Sequence, residues 1–326
     1  LDDARDLIRS MPAGDEEAGA RARSDLARRY GRPEDFGKLA TLGSWLATWQ
    51  RRTPPRVEKP VVAIFVGSHG LAGQGVSITS GDTVRERMAE LRAGRNAVNA
   101  LATQESAIIR IFELGLDQPT ANITEAPAMT ARSCAATIAY GFEALVESPD
   151  CLALGVMGAG VGTAAAAVAC ALYGGDPGFW VRPGPGTPAE VARARAELVG
   201  RALTRHRKET EDPLCALAAL GGRELAACVG AITAARHQGV PVILDGFATA
   251  VAAGVVKAIR PDGIDHCVAA SKTLRPAHEA VLERIGMKPL LDIGVMSGGA
   301  VGSTLALGLV RAASALHLAR TQDEVA

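Results

Sequence analysis

"CLALGVMGAGVGTAAAAVACALYG", residues 151–174, is the stretch on which the fold turns. Apolar "CLAL" reads as the end of a strand. Gly155, Gly158, Gly160 and Gly162 follow, then Thr163 and an alanine-rich run that reads as a helix. The first backbone N–H groups of a helix have no intrahelical acceptor and attract an anion. A strand, a glycine-rich turn and a helix start therefore predict a phosphate-sized site near Gly160–Thr163. The turn is not a P-loop, because Thr163 follows Gly162 directly with no lysine near. Its glycines are spaced GxGxG from Gly158, which is not the dinucleotide fingerprint either.

The pattern recurs outward from this stretch. "VVAIFVGSHG", "AIIRIFELGL", "VPVILDGF", "IDHCVAAS" and "PLLDIGVMSGGAVG" are short apolar runs bounded by turn residues. Such runs suit strands buried on both faces. Most are followed by alanine-rich helical stretches, which predicts βα units and a parallel sheet. Residues 2 to 50 read as helices, and the prolines of "RRTPPRVEKP" make a linker. Small or polar residues cluster at the strand ends: Ser68-His69, Gly158 to Thr163, Asp245-Gly246, Ser271-Lys272-Thr273 and Ser297-Gly298-Gly299. In open parallel sheets ligands bind outside the carboxyl ends of the strands, so these clusters predict the rim of one cleft.

Composition narrows the function classes. Lys plus Arg equals Asp plus Glu, at 35 each, and the basic residues are dispersed. Neither nucleic acid nor a membrane is an expected partner. The longest apolar candidate for a membrane span, in 243–260, is interrupted by Asp245 and Lys257. Six cysteines without a CxxC pair read as buried free thiols of a cytoplasmic protein. No GxSxG elbow and no HExxH pair occurs, and no metal is expected. His266, beside Asp265 at the start of an apolar run, reads as a structural histidine.

Taken in order, "SHGLAGQGVS", "FELGLDQPTANITEAPAM", "GGRELAACVGAITAARHQGVPVILDGF", "DHCVAASKTLRPAHEAVLERIG" and "PLLDIG" resemble the nicotinate-nucleotide:dimethylbenzimidazole phosphoribosyltransferase family of cobalamin biosynthesis. The likeness covers nearly the whole chain. It implies an α/β fold, a doubly wound parallel sheet with a small helical lobe. The expected division is a lobe over 1–56, joined by the end of 305–326, and an α/β domain over 57–304. It implies transfer of phosphoribose from nicotinate mononucleotide to 5,6-dimethylbenzimidazole or a related base, with no cofactor and as a homodimer. The implied phosphate and nucleotide contacts are Gly158, Gly160, Gly162, Thr163, Thr273 and Gly298. The implied acceptor pocket holds Ser68, His69, Ser77 and Arg87.

The departures from the family pattern fall on the chemistry. The glutamate expected as general base aligns with Gly299, a second expected glutamate with Val156, and an asparagine with Val161. A family lysine aligns with Ala194, flanked by Arg193 and Arg195. In "TLRPAH" Arg275 stands for a glutamate and Ala277 for a glycine, while Thr273 keeps a hydroxyl. Arg87, Lys272 and Arg275 are candidates for new anion contacts. Asp245 is a candidate substitute base, or else a turn-former or cap after its strand. Two readings follow. One is an active phosphoribosyltransferase. The other is a catalytically silent paralogue that binds a ligand or partners an active homologue in a heterodimer.

Overall fold

A computed structural model of the chain describes residues 1–182, 184 and 186–318. Three helices come first: α1 (Asp2–Arg9), α2 (Glu16–Tyr30) and α3 (Lys38–Gln50). The Asp15 side chain caps α2 by accepting from the Ala18 N–H. β1 (Pro60–Ser68) opens the sheet and leads to α4 (Gly81–Arg92) and α5 (Ala97–Gln104). β2 (Ile108–Glu113), α6 (Ala131–Tyr140), β3 (Cys151–Ala159) and α7 (Val161–Tyr173) follow. Then come α8 (Pro177–Trp180), α9 (Ala189–Arg205), α10 (Pro213–Leu220) and α11 (Arg223–Gln238). β4 (Val242–Leu244), α12 (Gly246–Ile259), β5 (Cys267–Ala269), α13 (Pro276–Ile285) and α14 (Val301–Leu318) complete the order.

The five strands are parallel and lie in the order β2-β1-β3-β4-β5. Helices cover both faces, so the sheet is doubly wound. The two-residue period of a strand decides which side chain goes where. Val61, Ala63 and Phe65 of β1 join the larger core with α7, α11 and α12. Val62, Ile64 and Val66 face the other way, toward Val84, Met88 and Leu91 of α4. Parallel central strands buried on both faces read as unbroken apolar runs for this reason.

The "PLLDIGVMSGGAVG" stretch, expected as a strand, forms no named strand. The Leu290 and Leu291 N–H groups donate to Ala269 O and Ala270 O beside β5, and one bridge joins Ser271 to Leu291. The backbone then reaches Gly294 at φ 69°, which strand geometry does not permit.

At the amino end, Ile8 and Met11 belong to the larger core. Buried Arg236 of α11 fixes the following turn by donating to Pro12 O at 2.7 Å, and it stacks over Trp49 at 4.0 Å. Leu42 and Leu46 of α3 pack with Ala306, Leu307 and Val310 of α14. By length and composition, α14 is the one described helix apolar enough to cross a membrane, rather than the 243–260 stretch. Half of it is buried, against α3 and the sheet, as in a core helix. Residues 319–326, counted with the expected lobe, lie outside the described residues.

One crossing carries a stability prediction. A Cβ added at Gly230 of α11 would stand well inside van der Waals contact with Ile138 O of α6. Both partners are helix backbone and have little room to give. Gly230→Ala is therefore expected to cost about 3 kcal/mol, the upper end for overpacking. A lowered denaturation midpoint or loss of folded protein reads this out, and an unchanged midpoint would show slack in the crossing.

Candidate functional site

The loops leaving the carboxyl ends of β1, β3, β4 and β5 enclose a cavity of about 220 Å³. It lies near the strand-order reversal between β1 and β3, where open parallel sheets place ligands. Among the described residues its walls come from 76–79, Val156, Gly158, Gly160–Thr163, 180–182, Thr187, Arg195, 245–248, Ser271, Thr273, Arg275, Ala277 and 295–298.

Nine of the candidate contact residues line this cavity: Ser77, Gly158, Gly160, Gly162, Thr163, Asp245, Thr273, Arg275 and Gly298. The turn between β3 and α7 is built on Gly160. Its φ of 90° is left-handed, and a Cβ there would come within 2.7 Å of Leu71 Cδ1. Glycine alone meets both demands. It lets the chain reverse at once, so the start of α7, from Val161 to Thr163, lines the cavity, with the Thr163 N–H turned back on Gly160 O.

Ser68, His69, Arg87 and Gly299 lie elsewhere. Ser68 Oγ donates to Gly115 O at 3.2 Å. His69 is fully buried, with Nε2 at 2.8 Å from Glu224 Oε1. Arg87 is exposed on α4, whose Val84, Met88 and Leu91 take the buried side. Gly299 has φ 76°, and the nearest atom to an added Cβ is Met157 Cε at 3.8 Å. A glutamate there has space but a left-handed backbone, at a cost of roughly 1–3 kcal/mol. Lys272 is held by Glu279 at 3.0 Å.

Asp245 is the one carboxylate among the described residues that line the cavity. Its Oδ2 accepts from the Ala300 N–H at 2.9 Å and its Oδ1 from the Ser303 N–H at 3.0 Å. These are the first free donors of α14, so Asp245 caps that helix from a distance in sequence. It is thus both helix cap and cavity acid. Burial pushes its carboxyl up to about 6, against the pull of those backbone donors.

Arginines line the same cavity. Arg195 Nε donates to Val76 O at 2.6 Å, which aims its remaining nitrogens. Arg275 Nη1 would be 3.3 Å from a Cβ on Gly162, over the first turn of α7. Burial lowers the pKa of both, and the charge of Arg275 lowers Arg195 further. Thr273 Oγ1 is 3.0 Å from His278 Nδ1, and burial, with Arg275 nearby, pushes this imidazole down to about 4. His278 is therefore neutral at pH 7. His266, with Nε2 on Ile232 O at 2.9 Å, is buried and pushed down to about 3, as a structural histidine requires.

The sequence reading did not single out Trp180, Arg182 or Phe247, which also line the cavity. The signal for Arg195 was partial. Residues two apart on a helix point about 200° apart, so one of Arg193 and Arg195 at most could face the site. Arg193 is the exposed one, 3.8 Å from Glu197.

Comparison with known proteins places this geometry. The family model described as phosphoribosyltransferase matches residues 11–325. The nicotinate-nucleotide–dimethylbenzimidazole phosphoribosyltransferase of Rhizobium meliloti (strain 1021) is 41% identical over 317 residues, 97% of this chain and 94% of the relative. The chain belongs to that family. The enzyme of the same name from Sinorhizobium fredii is 42% identical over the same share of each chain. A crystal structure of the Thermus thermophilus protein of that name superposes with a TM-score of 0.85 at 30% identity, over 95% of this chain and 98% of the other. The family fold and this sheet agree, and nothing in these findings favours a silent paralogue.

Proposed function

We propose that this chain transfers phosphoribose from nicotinate mononucleotide to a benzimidazole-class base, with the α7 turn on the donor phosphate and Asp245 receiving the proton. The observation that supports this most is that one cavity joins that turn to a buried, ionisable carboxylate. In the reaction a ring nitrogen of the base attacks the anomeric carbon. The bond to the pyridinium nitrogen breaks, and its electron pair stays with nicotinate. The second ring nitrogen of the base gives up its N–H proton, and a carboxylate with a pKa near 6 is matched to accept it at neutral pH. Val156, Val161, Trp180 and Phe247 supply the flat apolar wall that an aromatic acceptor needs.

The chain is read as cytoplasmic, because its six cysteines are free and five of them buried. It is read as a homodimer through its family, and edge strand β2 leaves Ile108 exposed for such a contact. The test is chromatography of purified protein with nicotinate mononucleotide and 5,6-dimethylbenzimidazole. Nicotinate and α-ribazole phosphate should appear in equal amounts. Absence of both across a panel of benzimidazoles would overturn the reading.

A further inference from the structure

Two arginines face the cavity with no acid to answer them. Neither Arg275 nor the terminal nitrogens of Arg195 have a carboxylate partner among the described residues. Asp245, the one lining carboxylate, is engaged with the Ala300 and Ser303 backbone. Arg182 adds a third cation at the rim, over the Phe179 ring at 5.7 Å.

Like charges held together at half-buried positions destabilise one another unless an anion sits between them. A monoanion answers one guanidinium. A terminal phosphate, with two charges and three acceptor oxygens, answers both. We infer that Arg195 and Arg275 form one grip for a doubly charged terminal phosphate, so that the cavity selects a phosphomonoester over a nucleoside or a phosphodiester. The grip is carried by this chain's own residues, Arg195 on α9 and Arg275 at the start of α13, which line the same cavity. Gly162 keeps the space under Arg275 Nη1 clear, since any side chain there would press on the guanidinium.

The inference rests on the proposed donor for its location, but binding can be read without turnover. Calorimetric titration of the full chain would use three probes: nicotinate mononucleotide, its riboside, and the mononucleotide's methyl phosphodiester, whose phosphate carries a single charge. The mononucleotide should bind at least about tenfold more tightly than either of the others, because charge-assisted contacts exceed the tenfold equivalent in energy. Arg275→Gln and Arg195→Gln should each weaken the mononucleotide about tenfold and leave the riboside unchanged. Arg275→Lys should restore part of the loss, and Arg193→Gln should change nothing. Equal affinity of riboside and mononucleotide, or folded glutamine variants with wild-type affinity, would overturn the grip. Tight mononucleotide binding without transfer to any base would sink the proposed reaction and leave the grip standing. Transfer with an unchanged KM in both glutamine variants would do the reverse.

Discussion

Asp245→Asn is expected to lower kcat by about a hundred- to ten-thousand-fold, the usual contribution of a positioned proton acceptor. The substitution removes the charge and keeps the shape. One carboxamide oxygen can still accept from α14, while the amide NH₂ meets the second backbone N–H. The wild-type chain should lose activity as pH falls through about 6, where Asp245 takes up its proton. The asparagine variant should show no such limb. Stability provides the control. The folded carboxyl is raised from 3.8 to about 6, so its contribution is fully present below 3.8 and lost as pH rises through about 6. At neutral pH the buried charge costs about 3 kcal/mol relative to the protonated form. Asparagine relieves that cost while weakening the cap, so the melting temperature should move little. A variant that keeps the wild-type kcat and the limb near pH 6 would show that the proton goes elsewhere.

This dual role explains why Asp245 could be read two ways from the sequence. An aspartate after a strand is both a good cap and a good acid, and local sequence says nothing of α14, 55 residues away. The sheet was more legible. Val61 to Val66 sit in the centre of a parallel sheet, where burial on both faces leaves an unbroken apolar run. "PLLDIGVM" has the same composition, yet Leu290 and Leu291 alone bond beside β5 before the chain turns away at Gly294. Composition reports burial; it does not report how many backbone groups find a strand partner. Arg195 shows a third limit. The spacing of Arg193 and Arg195 separates their directions, but which one meets the cavity depends on how α9 rests on α7 and α8, a tertiary matter.

His69→Ala is expected to destabilise the chain by about 3–5 kcal/mol, because it leaves a buried glutamate without its partner. His69 and Glu224 are fully buried, 2.8 Å apart, at the end of β1 and the start of α11. The family resemblance implied an acceptor-pocket role for His69. In the structure its side chain is buried against Glu224. A Cβ on Gly160 would lie 3.3 Å from His69 Cβ, so the pair braces the β3–α7 turn from behind. Among the described residues, His69 Nδ1, Glu224 Oε2 and the Thr120 hydroxyl are buried with no hydrogen-bond partner, so the pair has no second contact to fall back on. Replacing one member therefore strands a charge, whereas replacing both with apolar groups removes the need for either. A His69→Leu, Glu224→Leu double variant should accordingly unfold at a higher denaturant concentration than His69→Ala. His69→Gln, which keeps an N–H donor, should fall between wild type and His69→Ala. If the double variant is as unstable as the sum of the two singles, the pair is not coupled and the turn is held by packing alone.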